Sequence, residues 1–181
     1  MALHARRREV SMRHILSPRM QRDCLTNVQA GDSQPNAVDL RVDKIFRLKD
    51  EVFVITDKEK THRGSEEVQP DSNNMFCLEP GVYEIIMENI VKVPESYAGW
   101  VITRSTLNRN GCHITSGLYD SGYNGVMAGL LHVAHGPAAI EKGTRVGQFL
   151  MFDAETLSLY DGDYGLAKDH DAKYTGEKNG N

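Results

Sequence analysis

Short apolar runs broken by Gly, Pro, Asn and Asp recur along most of this chain. Runs that alternate with polar residues, or that are brief and rich in β-branched or aromatic residues, predict β-strands. Such runs cover residues 38–42, 51–56, 75–78, 81–87, 100–104, 126–133 and 147–152. Many short strands at this spacing favour an all-β, β-rich fold (a sandwich, barrel or jelly roll) over a parallel α/β sheet.

One short N-terminal helix is predicted over residues 17–30. Ser17 can cap it, Pro18 suits its first turn, and Met20, Cys24, Leu25 and Val28 share one face. The polar, mixed-charge residues 57–74 predict a loop or mobile insertion. We therefore expect a flexible N-terminal extension at 1–11, a β domain at 12–160 and a flexible C-terminal tail at 161–181.

Composition narrows the class of protein. The 181 residues are enough for one domain with its own core, and 40% hydrophobic with 25% charged residues is typical of a soluble globular protein. A formal net charge of -4 argues against a protein that coats nucleic acid. No apolar run approaches a membrane span. Three widely spaced cysteines fit a cytoplasmic protein without disulfides.

Several scattered residues have plain structural interpretations. Trp100 and the methionines are expected in the core. His132 and His135 could suggest a metal site beside Cys112 or His113, but a pair of histidines without a matching second pair favours ordinary core or solvated residues.

Residues 104–111 combine cationic and hydroxyl side chains in one turn. Arg104 and Arg109 supply planar donors suited to phosphate, and Ser105 and Thr106 add short hydroxyl donors. Backbone N–H groups of the turn could join them in an anion-binding nest. The alternative is a solvated Arg-rich turn.

Residues 117–125 predict a tight hairpin. Gly122 and Gly125 permit positive φ angles, so Asp120 and Tyr123 would project from the reversal. A fixed carboxylate can accept a proton from water, and a Tyr ring can pack on a sugar face. The alternative is an ordinary hairpin whose Asp caps its own turn.

Together with their flanks, these segments resemble the dUTPase and dCTP deaminase superfamily. Residues 34–41 are similar to the first motif of the family, especially in its deaminase branch. The other similar segments are residues 78–83, 93–94 and 98–99 before the phosphate motif, 143–148 in a late strand, and 171–176 in the tail. The resemblance implies a distorted jelly roll, or β-clip, that forms homotrimers. It also implies active sites between adjacent subunits and a tail that closes over them.

The strand after the hairpin distinguishes the two branches. Deaminases of this family need no zinc but rely on a glutamate there, and residues 126–133 contain none. Asp120 and Tyr123 fit the hydrolase branch instead. The termini are more similar to the deaminase branch. Deaminase tails often have a Gln at the position of Glu177. His132 is a remote candidate for replacing the absent glutamate.

The resemblance thus implies hydrolysis of dUTP to dUMP and pyrophosphate, with Asp120 activating water. A dCTP deaminase, possibly bifunctional, is the alternative, and a non-catalytic nucleotide-binding member is the second. The implied substrate-binding residues are Arg104, Ser105, Thr106, Arg109, Ser116, Tyr123, Gln148, Lys173 and Tyr174. Asp39 would support the phosphate-site arginine or the metal shell. Mg²⁺ would bind mainly through substrate phosphates and water, without a protein metal site. The base would be read mostly by the backbone of residues 114–118.

Overall fold

The computed structural model describes residues 24–166, 168 and 174. Their secondary structure is almost entirely β, which confirms the predicted fold class. The strands are β1 (Val38–Leu48), β2 (Val54–Ile55), β3 (Lys60–Thr61), β4 (Ser65–Glu67), β5 (Met75–Leu78), β6 (Gly81–Lys92), β7 (Tyr97–Thr103), β8 (Cys112–Thr115), β9 (Asn124–Val133), β10 (Ala138–Glu141) and β11 (Arg145–Asp153). One five-residue helix, α1 (Ser105–Arg109), lies between β7 and β8.

A seven-stranded antiparallel sheet forms the body, in the order β7-β11-β1-β6-β9-β8, with β4 added to β1. Its two ends approach each other, because Gly99 on β7 pairs with Tyr119 just after β8. The Thr103 hydroxyl also donates to the Ile114 carbonyl, 2.9 Å away. The sheet is therefore a nearly closed barrel. Two-stranded ribbons, β10-β5 and β2-β3, complete it.

The inward residues of these strands make one continuous core. Alternate positions of β1, β6, β9 and β11 are buried, as period-2 patterning requires. Met87, Met127 and Met151 are buried as predicted. Trp100 is not, since 49% of it is exposed. It lies on the edge strand β7, at a position whose neighbours in the strand face inward.

The predicted N-terminal helix is not found over residues 25–30, although Cys24 is in a helical conformation. Leu25 forms a β-bridge with Val91 instead, and the Thr26 N–H donates to the Ile90 carbonyl at 3.0 Å. The backbone groups that would close a helix thus bond to β6. Residues 17–23 of that prediction lie outside the described residues.

The stretch predicted as a loop, 57–74, contains two strands. β4 pairs with Phe46 to Leu48 of β1, and β3 pairs with β2. Long-range pairing onto the exposed end of β1 gives these polar residues backbone partners that local sequence does not reveal.

Candidate functional site

A fully buried carboxylate organises the cationic part of the site. Asp39 is the register partner of Gln148, where β1 pairs with β11. The Gln148 amide donates to Oδ1 of Asp39 at 3.0 Å. The other carboxylate oxygen of Asp39, Oδ2, lies 3.3 Å from Nε of Arg104 and 3.4 Å from Nη1 of Arg145. Asp39 therefore orients two guanidinium groups and one amide, as a buried charge needs such partners.

Arg104 stands at the start of α1, where the extended β7 backbone turns into the helix. Its own backbone is extended, with φ -65° and ψ 142°. The Arg104 N–H donates to Val146 at 3.1 Å, and its guanidinium donates to the Arg145 carbonyl at 3.2 Å. Both acceptors belong to β11, so this strand fixes the position of Arg104.

The hydroxyl and cationic side chains of α1 face outward. Ser105, Thr106 and Arg109 are exposed. In the part of the chain that the structure describes, neither the Ser105 nor the Thr106 hydroxyl takes part in a hydrogen bond. Leu107 packs against the core and sets the orientation of the helix. These donors are accessible on the outward face, and their binding of an anion stays a prediction.

Sequence analysis did not identify Arg145 as a member of this cluster. Besides Asp39, it donates to the Gly31 carbonyl at 3.0 Å. The loop that carries Gly31 is fixed by buried Asp32, whose two oxygens accept from Arg41 at 2.7 and 3.1 Å. Hydrogen bonding to Asp32 raises the pKa of Arg41 above its ordinary value. The sequence offered one signal that could have identified Arg145, which is its position within the family-like segment 143–148.

The hairpin that carries Asp120 is a tight turn. Gly122 has φ +85°, and the Tyr123 N–H donates to the Asp120 carbonyl at 3.0 Å. Asp120 is exposed, as predicted. Gly125 does not have a positive φ, contrary to prediction. It is a glycine because a Cβ there would lie 2.6 Å from the Tyr123 hydroxyl oxygen and 2.7 Å from Gly165 Cα.

Tyr123 does not project from the turn beside Asp120. Only 7% of it is exposed, and its hydroxyl donates to the Val126 carbonyl at 2.8 Å. Its ring makes edge contacts with Tyr119 and Tyr160, at centroid distances of 5.2 and 5.3 Å. Burial of the ring and its hydroxyl bond outweigh the local preference of the turn.

Two cavities flank the hairpin. The larger, of about 660 Å³, is lined by three predicted site residues, Ser116, Tyr123 and Tyr174. The smaller, of about 430 Å³, is lined by Asp120 together with residues 154–161. Leu118 lines both, so the cavities adjoin. Arg104 and Gln148 line neither, and one chain therefore holds its predicted site residues in separate places.

The wall that β9 gives to the larger cavity has no acidic residue. It consists of Val126, Ala128, Gly129 and Leu130. Among the described lining residues, the carboxylate comes from Glu84 on β6, which sequence analysis missed. His132 is not part of that wall. It faces His113, with ring nitrogens 3.3 Å apart, so it does not stand in for the absent glutamate.

Tyr174 is the described residue of the predicted tail motif. It is 6% exposed and packs against Phe46 and Ile86. Its hydroxyl donates to Glu84, and its carbonyl accepts from Lys44 Nζ at 2.6 Å. Tyr174 thus forms part of the rim of the larger cavity. Lys173 lies outside the described residues.

Within residues 24–166, 168 and 174, no three or more His, Cys, Asp or Glu side chains are grouped as a metal site would require. Cys24 and Cys112 are buried and Cys77 is exposed, and burial raises the pKa of Cys112. No helix in the described part of the chain is long and apolar enough to span a membrane.

Comparisons with known proteins match this architecture. A family model described as dCTP deaminase-like matches residues 11–154. A probable deoxyuridine 5'-triphosphate nucleotidohydrolase of Halobacterium salinarum is 33% identical over 136 residues, 72% of this chain and 81% of that protein. A dUMP-forming dCTP deaminase of a Nocardioides species is 29% identical over 176 residues, 87% of this chain and 89% of that protein.

A solved structure shows the same fold. The 2'-deoxycytidine 5'-triphosphate deaminase from Agrobacterium tumefaciens superposes with a TM-score of 0.58 at 15% identity. The match covers 77% of this chain and 46% of that one, so this chain spans less than half of that deaminase.

Proposed function

The chain belongs to the dCTP deaminase-like family, and from this premise we propose that it hydrolyses dUTP to dUMP and pyrophosphate. The pair of cavities at the hairpin supports hydrolysis over deamination. Asp120 is exposed in one, whereas the β9 wall of the other contains no acidic residue. A carboxylate that can take a proton from water is thus present, and the strand glutamate used for deamination is not.

Asp120 is the proposed general base. The turn fixed by Gly122 holds its backbone, and the exposed carboxylate can orient a water molecule against the substrate phosphate. The water oxygen forms a bond to phosphorus while its proton passes to Asp120. The bond to the bridging oxygen breaks, and pyrophosphate leaves.

The cationic cluster is the proposed triphosphate site. Arg104, Ser105, Thr106 and Arg109 present donors on one turn, and Gln148 and Arg145 join Arg104 through Asp39. Lys173 would add a cation from the tail. The roles of Ser116, Tyr123 and Tyr174 are to form the nucleoside pocket.

We propose that Mg²⁺ arrives on the substrate, because the buried carboxylates near the cationic cluster are already engaged. Both oxygens of Asp39 are engaged by Arg104, Arg145 and Gln148, and both oxygens of Asp32 are engaged by Arg41. When bound to the phosphates, Mg²⁺ would offset their negative charge. Asp39 would then act through the arginines and not as a ligand.

We propose that the protein is a homotrimer whose sites form between adjacent subunits. The support is that one chain keeps Asp120 and the Arg104 cluster in separate places. The 49% exposed Trp100 and 56% exposed Leu118 offer apolar surface for a second copy. A cytoplasmic location fits a nucleotide substrate and three widely spaced cysteines.

A dCTP deaminase, alone or combined with the hydrolase, is the second candidate. Its support is the similarity to a relative named as a dUMP-forming dCTP deaminase, which covers more of the chain than the hydrolase match. A non-catalytic nucleotide-binding protein is a third candidate, disfavoured by the exposed Asp120. Pyrophosphate released from dUTP by the purified protein with Mg²⁺ tests the proposal, and its absence would reject it.

A further inference from the structure

Asp120 is an exposed residue between two buried neighbours. Tyr119 is 7% exposed and Ser121 is 4% exposed, whereas Asp120 faces solvent and lines the smaller cavity. Among the described residues, the Asp120 carboxylate has no hydrogen-bond or ion-pair partner. Its position therefore depends on how the chain is held at Tyr119 and at Ser121.

Tyr119 ties the chain before Asp120 to two strands. The Tyr119 N–H donates to the Gly99 carbonyl at 2.8 Å, and the Gly99 N–H donates to the Tyr119 carbonyl at 2.9 Å. The Tyr119 hydroxyl donates to the Ala128 carbonyl at 2.8 Å and accepts from the Ala128 N–H at 3.0 Å. This side of Asp120 is thus fixed to β7 and β9.

A chain of two hydroxyl groups holds the other side of Asp120. The Ser121 hydroxyl donates to the Tyr97 carbonyl at 2.6 Å and lies 2.6 Å from Oγ1 of Thr156. Because a serine hydroxyl has one hydrogen to donate, the Thr156 hydroxyl is the donor to Ser121. Buried Ser121 therefore connects the hairpin to β7 and to the segment after β11 at the same time.

The segment after β11 shapes the cavity in which Asp120 is exposed. Residues 154–161 line the smaller cavity together with Asp120. They are joined to Ser121 by the hydroxyl of Thr156, and the Tyr160 N–H also donates to the Ser121 carbonyl at 2.8 Å. Ser121 is thus the point at which the hairpin and this segment are fastened to each other.

Building on the proposed function, we propose that Ser121 is a positioning residue for Asp120, with Thr156 as its hydrogen-bond donor. Ser121 acts through Asp120 and not through contact with the substrate. It fixes the chain next to Asp120, so that the carboxylate meets the attacking water at the distance that proton transfer needs. Misplacement of a reacting group by about 1 Å can lower a rate roughly a hundredfold.

Pyrophosphate release and calorimetric binding of the α,β-imido analogue of dUTP separate turnover from affinity in the full-length protein. Ser121→Ala should lower kcat roughly tenfold to a hundredfold and leave the Kd for the analogue within about threefold. Thr156→Val has nearly the same shape but no hydroxyl, and it should lower kcat less, since Ser121 can still donate to Tyr97. Thr156→Ser keeps the hydroxyl and should retain turnover.

A double-mutant cycle separates positioning from a role in stability alone. In an Asp120→Asn protein the carboxylate that Ser121 positions is gone, so adding Ser121→Ala should not lower the residual rate further. General damage to the fold would lower the rate by the same factor in both backgrounds. Ser158→Ala removes a hydroxyl from an exposed residue of the same cavity and should change neither kcat nor Kd.

Three results would overturn the inference. They are equal losses in the two backgrounds, a change in Kd as large as that in kcat, and wild-type turnover in both Ser121→Ala and Thr156→Val. If circular dichroism shows that Ser121→Ala does not fold, Thr156→Val takes its place in the same cycle.

Failure of the inference is distinguishable from failure of the proposed function. Pyrophosphate release from dUTP by the wild type is measured in the same experiment. If the wild type releases pyrophosphate and any of the three results is found, only the role of Ser121 is rejected. If the wild type releases none, the proposed hydrolysis is rejected and the inference falls with it.

Discussion

Asp39 and Arg104 form an ion pair in which the carboxylate is fully buried and the guanidinium is partly exposed, with Oδ2 3.3 Å from Nε. The same oxygen lies 3.4 Å from Arg145. One buried charge thus holds two cations at the surface, where a polyphosphate can reach them. The proposed triphosphate site depends on this arrangement.

Replacing Asp39 should therefore damage both folding and binding. Asp39→Asn leaves Arg104 and Arg145 near each other without the opposite charge. We expect the free energy of unfolding to fall by about 3 kcal/mol, the scale for breaking a buried pair. The KM for dUTP should rise. Chemical denaturation and pyrophosphate release measure the two effects.

The control for that variant is Asp43→Asn. Asp43 pairs with Lys142 at 3.0 Å, but both side chains are about one-third exposed. Exposed pairs contribute about 1 kcal/mol or less, so stability should hardly change. Equal losses in the two variants would contradict the special role of Asp39.

Asp120→Asn should remove catalysis and keep binding. Loss of a general base lowers turnover by roughly two to four decades. The Kd for the imido analogue of dUTP should stay within a few-fold, because the phosphate cluster is untouched. Glu155→Gln changes another acid that lines the same cavity and should retain activity. A fully active Asp120→Asn protein would remove Asp120 from the mechanism.

Gly125→Ala should destabilise the protein through a steric clash. The added Cβ would lie 2.6 Å from the Tyr123 hydroxyl and 2.7 Å from the backbone of Gly165. Overpacking of this kind costs about 1 to 3 kcal/mol. Thermal unfolding measures it against Gly117→Ala, whose Cβ would meet nothing within 4 Å and should cost about 0.5 kcal/mol or less. Similar losses of stability in the two variants would contradict the close approach of Gly125 to Tyr123 and Gly165.

The local pattern in the sequence predicted most of the strands but not how they pair. The runs at 38–42, 81–87 and 147–152 lie within β1, β6 and β11, and alternation or a short apolar pattern identified them. Their register is non-local, so the contact of Arg145 with Asp39 and the position of Glu84 opposite Leu130 were not predictable. Helical signals near residue 25 were outweighed by pairing with β6.

In the candidate site too, features set by local sequence were predicted and features set by long-range contacts were not. The exposure of Asp120 follows from turn chemistry and was predicted, whereas residues 104–111 were predicted as a turn and contain the helix α1. The burial of Tyr123 depends on contacts with Tyr119 and Tyr160, which a single stretch of sequence does not contain. Gly125 was correctly marked as special, but the reason is a close approach and not a positive φ.

Mixed oligomers test the proposal that adjacent subunits share each site. Asp120→Asn and Arg104→Ala proteins, each inactive alone, are unfolded and refolded together. If Asp120 and Arg104 come from different subunits of a trimer, a mixed trimer has one intact site. An equal mixture should then recover about a quarter of wild-type pyrophosphate release. No recovery, with mixed oligomers detected by mass spectrometry, would contradict shared sites.

An assay that measures two products tests whether the protein hydrolyses dUTP. The wild-type protein is incubated with Mg²⁺ and either dUTP or dCTP, and pyrophosphate and ammonia are both measured. We expect pyrophosphate from dUTP and no ammonia from dCTP. Ammonia from dCTP with no pyrophosphate from dUTP would contradict it.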